Sequence, residues 1–249
     1  MTQPHAQPQR DSSIPVETRV PYDGVAELYD RAFADIRVRK AEVAWLDEHL
    51  TRSKISQPRV LDLGCGTGSL LRHLCSGIGS GVGADVSSDM LDHAKRRAAA
   101  EPKLSFVHLT RRSLPFADNQ FDVVISFFSF RYMDWNRIFP EILRVLRPEG
   151  RFLMVDLVRA RVGLGDTLGL VRSALSHVVR RDTRPGFAQD LAALVRHPAW
   201  SEMLGRHPMR PLSEYRDFFS QMLPAVRFDS LHTLPGRRVI ALDSGPLGA

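Results

Sequence analysis

The residues of this sequence that most clearly point to chemistry are two acids near a run of glycines. The stretch VLDLGCGTGSL (60–70) places Asp62 inside an apolar segment and follows it with Gly64, Gly66 and Gly68. Glycines between a strand and a helix let a ligand approach the backbone, because no Cβ stands in the way. The dinucleotide fingerprint is G-x-G-x-x-G, whereas the spacing here is G-x-G-x-G. A carboxylate at Asp62 would repel a pyrophosphate and attract an amine, so we expect this loop to bind a nucleoside that carries a positive group.

The second acid, Asp85, lies near the end of the next apolar stretch, GVGADV (81–86). It follows the glycine loop by about twenty residues, the spacing at which doubly wound α/β domains place the acid that binds the ribose. We therefore expect Asp85 to accept two hydrogen bonds from ribose hydroxyls.

The elements that must position these acids alternate along the chain between strand and helix. Strand patterns cover the stretches 59–63, 81–86, 104–109, 121–130 and 148–158, and helical patterns cover 67–78, 87–101 and 134–147. This alternation predicts a parallel sheet with right-handed crossovers, covered by helices on both faces. Pro140 requires the last of these helices to start shortly before it, because proline is tolerated in the first turn. The stretch 226–244 is typical of two strands joined by a Pro-Gly turn, which predicts an antiparallel hairpin at the sheet edge.

The segments outside this pattern suggest how the chain is organised. We expect a disordered polar tail over 1–20 and an N-terminal helical cap over 21–54. The α/β domain would comprise 55–158 plus 213–244, and a helical insertion over 159–212 would form a lid. Apolar faces in that insertion would equally suit the sheet or a second subunit, so a homodimer stays an open alternative.

Composition narrows the classes of protein to consider. The chain has 249 residues, 43% of them hydrophobic, and no run of eighteen apolar residues, so we expect a globular protein without a membrane span. Two cysteines, Cys65 and Cys75, and an N-terminus without a secretory signal predict a reduced cytoplasmic protein. The net charge of +6 comes mostly from scattered arginines, so we do not expect a nucleic-acid partner.

Taken together and in order, these motifs resemble the class I S-adenosylmethionine-dependent methyltransferases, in particular the small-molecule and quinone-type enzymes. VLDLGCGTGSL is similar to their first motif, GADVSSDML to the second-strand acid, and LPFADNQFDVVIS to the fourth strand. ILRVLRPEGRFLMVD is similar to their fifth strand, and SFRYMDW to a stretch of the quinone enzymes. The resemblance implies a Rossmann-like, mostly parallel seven-stranded sheet with an antiparallel C-terminal hairpin. It covers 55–158 and, more weakly, 226–243.

The resemblance also implies the cofactor S-adenosyl-L-methionine and a set of contacts to it. The glycines would admit the cofactor, Asp62 would face its methionine end, and Met90 or Val86 would flank its adenine. The expected contacts are Asp62, Gly64, Cys65, Gly66, Gly68, Asp85, Val86, Met90, Thr110, Arg111 and Ser126. Two alternatives remain: Asp62 could cap the helix that begins near Thr67, and Met90 could be a core residue. Cys65 is expected to be a small packed residue rather than a nucleophile.

One position departs from the family pattern. Relatives place an acid about four residues before LPF, where it accepts a hydrogen bond from the adenine amino group; here that position is Thr110. A neutral hydrogen bond is roughly half as strong as a charge-assisted one. Either backbone amides hold the adenine, or the cofactor site is weakened or altered, as in a protein that no longer methylates.

The chemistry expected is direct in-line methyl transfer to an oxygen, nitrogen or carbon of a small-molecule acceptor. Alignment supplies much of the rate of such a step, so a catalytic residue is not obligatory. The weak candidates are Arg131, Tyr132, His177, His207 and Tyr215. Arg131 could clamp an acidic acceptor or form a salt bridge with Asp134 or Glu141. The histidines are irregularly spaced, so we expect no metal site. An RNA or protein methyltransferase is the rival interpretation, favoured only by the basic charge.

Overall fold

The computed structural model of the chain describes residues 22–110, 113–160, 185–223, 226–234 and 236–247. Its strands are β1 (Arg59–Leu63), β2 (Ser80–Asp85), β3 (Leu104–His108), β4 (Phe121–Phe127), β5 (Leu146–Arg159), β6 (Arg227–Leu234) and β7 (Arg237–Asp243). Its helices are α1 (Ala26–Phe33), α2 (Lys40–Arg52), α3 (Ser69–Leu74), α4 (Ser88–Arg97), α5 (Trp135–Val145), α6 (Phe187–Arg196), α7 (Pro198–Arg206) and α8 (Leu212–Met222).

The seven described strands form one sheet in the order β3-β2-β1-β4-β5-β7-β6. The first five of these are parallel, whereas β7 runs antiparallel to both β5 and β6. The predicted α/β sheet with an antiparallel C-terminal hairpin is therefore confirmed. Strand β1 lies between β2 and β4, so the strand order reverses there. Open α/β sheets bind ligands at such a reversal, beyond the carboxyl ends of the strands.

Both faces of the sheet are covered by apolar side chains, as expected of parallel strands between helices. On one face Leu61 and Leu63 pack with residues of α5 and α8. On the other face Val60 packs with residues of α2 and α3. Alternation along β1 therefore turns Asp62 toward the side of α2 and α3, where it is 1% exposed.

A third apolar cluster joins the N-terminal helices to the helices before the final hairpin. Val25, Ala32, Phe33 and Leu194 are its buried members, with Trp200 packed against them. We call α1, the preceding Tyr22, α6 and α7 together the cap. Within the helical insertion predicted over 159–212, α6 and α7 are indeed helical, whereas the helical pattern at 168–179 lies outside the described residues.

Two local predictions were wrong. The apolar run 121–130 does not stay extended: β4 ends at Phe127, and Phe130 starts a short 3-10 turn. The run is apolar throughout because Phe130 is itself core, fully buried and stacked on Trp135 at 5.3 Å. Pro140 lies in the second turn of α5, where it removes the N–H that would bond the carbonyl of Asn136. Asn136 is exposed, so water can satisfy that carbonyl.

Among the described residues, no helix is both long and apolar enough to cross a bilayer.

Candidate active site

The glycine loop turns sharply between β1 and α3. Gly64, Gly66 and Gly68 have φ values of 80°, 53° and 69°, in the left-handed region that favours glycine. A Cβ on Gly64 would lie 2.4 Å from both Cβ and Oγ of Ser129, so packing of the protein also requires glycine there. Beside Gly66 the nearest atom to such a Cβ is Cε1 of Tyr29, at 3.9 Å. Of these three positions, Gly66 is the least crowded.

Asp85 fixes the position of this loop. Its Oδ2 accepts a hydrogen bond from the backbone N–H of Gly66 at 2.8 Å, and its Oδ1 accepts one from Ser87 at 2.9 Å. The side chain lies at the carboxyl end of β2, beside the reversal in strand order. This is the location expected for the acid that binds a ribose.

Asp62 is a buried acid whose hydrogen-bonding capacity is not filled. Its Oδ1 is buried and has no hydrogen-bond partner in the described structure. Burial, together with the negative charge of Asp85, raises the pKa of Asp62 to about 8. The alternative that Asp62 caps the following helix is wrong, because no side chain caps α3 and Gly68 occupies its N-cap position. An unfilled buried acceptor is costly and fits a ligand that brings a cationic donor.

Ser126 has a structural position at the same edge. It is fully buried, and its Oγ lies 2.7 Å from Oγ of Ser129, which in turn donates to the carbonyl of Leu63 at 2.7 Å. This chain of hydroxyls ties the end of β4 to the end of β1. Cys65 is also buried, and burial raises the pKa of its thiol well above the ordinary value, as expected of a packed residue rather than a nucleophile.

The residues expected near an adenine lie beyond β2 and β3. Met90 is 2% exposed in the first turn of α4, and Val86 is half-buried directly after Asp85. Thr110 is exposed two residues after the end of β3. Arg111 lies outside the described residues.

Arg131, in the short turn after β4, is the central side chain of a second group of residues. Its side chain is 9% exposed, Nη2 donates to the hydroxyl of Tyr132, and its guanidinium carbon lies 4.5 Å above the Tyr132 ring. Nη1 is 3.7 Å from Oδ1 of Asp156, an ion pair that is too long for a hydrogen bond. The partners predicted for Arg131 were therefore wrong, since Asp134 pairs with Arg137 at 3.2 Å and Glu141 with Arg144 at 2.7 Å.

Asp156 organises this region and was missed by the sequence analysis. It is fully buried in β5, and its Oδ2 accepts from the backbone N–H of Arg131 at 2.8 Å and from the hydroxyl of Tyr215 at 2.9 Å. Burial raises the pKa of Asp156, while the charge of Arg131 opposes that shift. Tyr215 is itself fully buried, so its hydroxyl holds Asp156 and is not accessible to an acceptor. Asp156 lies inside an apolar strand as Asp62 does, and this is the signal that could have identified it.

Aromatic rings of the cap cover the glycine loop and Arg131. Tyr22 contacts Tyr29, Tyr132 and Trp200 edge-to-face, with ring centroids 6.2, 5.8 and 6.3 Å apart. His207 contacts the ring of Tyr132 at 5.3 Å. Of the catalytic candidates, the structure thus brings Arg131, Tyr132 and His207 together; His177 lies outside the described residues.

A second arginine near the loop was not identified from the sequence. The guanidinium of Arg39 lies between two rings, 4.3 Å from the centroid of Phe33 and 4.0 Å from that of Phe128. Phe128 has a φ of 59°, an unusual value for a bulky residue, directly after β4. Strained backbone of this kind occurs frequently at binding sites. No spacing rule indicates such a sandwich, because its members come from three distant segments.

A separate groove of about 470 Å³ lies between α1 and α4. Glu27, Asp89, His93 and His197 are among the residues that line it, and none of the loop glycines does. Within the described ranges, no group of three or more histidines, cysteines or acids converges to hold a metal ion.

A parallel sheet with a glycine turn after β1 and acids at the ends of β1 and β2 defines a nucleotide-binding α/β protein of the Rossmann-like type. A sequence profile described as "Methyltransferase domain" matches residues 60–150, which include the loop and both acids. Residues 60–150 of the chain therefore belong to the class I S-adenosylmethionine-dependent methyltransferases. The residues present fit such a cofactor: the unpartnered Oδ1 of Asp62 would accept from its ammonium group, and Gly66 and Asp85 lie where its sugar is expected.

Among its relatives is a demethylmenaquinone methyltransferase of Clavibacter sepedonicus, 31% identical over 146 residues, 58% of this chain and 60% of that protein. A 2-phytyl-1,4-naphtoquinone methyltransferase of Trichormus variabilis is 32% identical over 156 residues, 57% of this chain and 66% of that protein. The chain thus matches less than two thirds of the length of these relatives. A solved geranyl diphosphate C-methyltransferase from Streptomyces coelicolor A3(2), in complex with S-adenosyl-L-homocysteine, shares the fold at 15% identity. Its TM-score is 0.59, over 85% of this chain and 78% of that one.

Proposed function

We propose that this protein transfers a methyl group from S-adenosylmethionine to a small-molecule acceptor bound between the glycine loop and the cap. The observation that carries the proposal is the buried, unpartnered Oδ1 of Asp62 beside the glycine turn. A sulfonium cofactor with an amino-acid tail supplies the ammonium donor that this oxygen lacks. It also supplies the activated methyl group, so the protein must chiefly align and desolvate the acceptor.

The described residues divide the work of binding between them. Asp62 would hold the ammonium, Asp85 the ribose hydroxyls, and the backbone of the loop would lie against the cofactor at Gly66. Gly64 and Gly68 would act indirectly, since packing against Ser129 and Phe106 holds the turn in shape. The cap would exclude water, because Tyr22 and Tyr29 bring aromatic rings over the loop.

The aromatic lining of the region favours a small acceptor. Its roof consists of rings from Tyr22, Tyr132 and Trp200, which suit an apolar or aromatic molecule better than a folded RNA. Two relatives are named as quinone methyltransferases, which agrees with a flat acceptor. The predicted helical lid over 159–212 is part of the same proposal; its described helices α6 and α7 pack against α1 rather than opposite it.

The experiment has two stages. Calorimetric titration with S-adenosylhomocysteine should give a one-to-one complex, with ATP as the control that should not bind. Labelled S-adenosylmethionine is then offered with naphthols and quinols, with transfer RNA, and with a protein extract. Label on the small aromatics supports the proposal, whereas label on RNA or protein alone would replace it with the macromolecular alternative. Cofactor binding without transfer to any of these would favour a methyltransferase-like protein, the interpretation that Thr110 raised.

A further inference from the structure

The guanidinium of Arg131 has buried donors that the protein does not use. Neither Nε nor Nη1 has a hydrogen-bond partner in the described structure, although both atoms are buried. A guanidinium carries five N–H donors, and among the described residues the only side-chain acceptor within hydrogen-bond distance is the Tyr132 hydroxyl. Buried donors without partners destabilise a fold, so such a group is expected to have a ligand.

The groups around Arg131 hold it in place and define its surroundings. Asp156 accepts from its backbone N–H and faces its Nη1, and Asp156 is anchored in turn by Tyr215. The ring of Tyr132 lies under the guanidinium, and Tyr22 packs against that ring. A fixed cation with unfilled donors, enclosed by rings, suits a planar molecule that carries an oxyanion.

We propose that Arg131 binds the ionised hydroxyl of a hydroxyaromatic acceptor and thereby determines which small molecules the enzyme accepts. This inference rests on the proposed function and specifies its substrate class. The acceptor binds as the phenolate, its hydroxyl proton passes to solvent, and one of the unfilled donors of Arg131, Nε or Nη1, hydrogen-bonds the oxygen. Arg131 is thus a specificity-determining residue, and Asp156 and Tyr215 position it.

The test uses 4-nitrophenol as the probe, because its ionised form absorbs visible light and the neutral form does not. The full-length protein is saturated with S-adenosylhomocysteine, and the absorbance of bound 4-nitrophenol is followed against pH. In the wild type, binding should favour the phenolate over the phenol by at least about tenfold relative to free solution. R131Q should abolish this preference, whereas R131K, which keeps a point charge, should retain part of it. The matched control is R137Q, which alters an exposed arginine on the neighbouring helix and should leave the preference unchanged.

Four results separate this inference from its rivals. Equal affinity of 4-nitroanisole, which cannot ionise, for wild type and R131Q would show that the aromatic enclosure survives the substitution, as we expect. If 4-nitrophenol fails to bind, or binds with no Arg131-dependent preference, the inference is wrong even though the cofactor complex forms. Stronger Arg131-dependent binding of 4-nitrobenzoate would overturn it in favour of a carboxylate acceptor. Failure of S-adenosylhomocysteine itself to bind would contradict the proposed function instead. If R131Q does not fold, the wild type and R131K alone decide the outcome.

Discussion

The backbone N–H of Gly66 donates to Oδ2 of Asp85 over 2.8 Å, and this bond joins the loop after β1 to the end of β2. The carboxylate that is expected to bind the ribose therefore also shapes the turn beneath it. Loss of the charge should affect both roles at once. The cofactor site is thus one unit built from two strand ends, rather than a set of independent contacts.

Replacement of Asp85 by asparagine tests this coupling. Because an amide is a weaker acceptor and places a donor where Gly66 or Ser87 now donates, D85N should weaken binding of S-adenosylhomocysteine roughly tenfold to a hundredfold. The measurement is calorimetric titration. D89N, an exposed acid in the next turn, is the matched control and should bind as the wild type does. Wild-type affinity in D85N would refute the ribose assignment.

Thr110 offers a way to ask whether the adenine site is merely weakened. It is exposed beyond β3, where relatives carry an acid, so T110D should create a charge-assisted hydrogen bond to the adenine amino group. We expect affinity for S-adenosylhomocysteine to rise by about threefold to tenfold. The gain should be absent with S-inosylhomocysteine, in which an oxygen replaces that amino group. An unchanged affinity for the adenosyl compound would mean that the adenine does not reach this position.

Asp30, a buried acid on α1, connects the cap to helix α4. Asp30 is 3% exposed and accepts from Nη2 of Arg97 at 2.6 Å and from its Nε, while Nδ1 of His93 lies 3.4 Å away. D30N should lower the free energy of local opening of α1 by about 1–3 kcal/mol, because it removes the charge from a network that ties α1 to α4. Hydrogen exchange of the α1 amides should quicken by roughly tenfold or more.

Glu27, exposed on the same helix, supplies the control for that experiment. E27Q should leave exchange in α1 unchanged. Equal protection in D30N and the wild type would show that the apolar cluster around Phe33 alone holds the cap.

The sequence predicts the sheet and the cofactor loop well because both follow from local rules. Short apolar runs that alternate with helical patterns fix the strands, and the glycine spacing with its flanking acids fixes the loop. The end of β4 could not be predicted in this way, since Phe130 is apolar in a turn for the same reason that Val124 is apolar in a strand: both are core.

The surroundings of Arg131 depend on contacts between segments far apart in the chain. Its acid is Asp156 on β5, not the nearby Asp134 or Glu141, because the end of β5 lies beside the turn after β4. The position of Arg39 between Phe33 and Phe128 likewise depends on how the cap lies against the sheet. Sequence spacing carries no information about such packing.

The loss of a proton from Asp62 when the cofactor binds is the most direct test of the central claim. With a pKa raised to about 8, the free protein holds Asp62 protonated at about pH 6.5. An ammonium group placed against it favours the carboxylate, so binding should release a proton. Release should approach one proton per site at about pH 6.5 and fall away above about pH 9, where the carboxyl is already ionised.

Calorimetric titration with S-adenosylhomocysteine in buffers of different ionisation enthalpy measures this proton count. The structure predicts nearly one proton released by the wild type at about pH 6.5 and none by D62N, whose binding is also weaker. The control D89N should release as many protons as the wild type. Tight binding without proton release by the wild type, or no binding at all, would contradict the assignment of this loop to the cofactor's amino-acid tail.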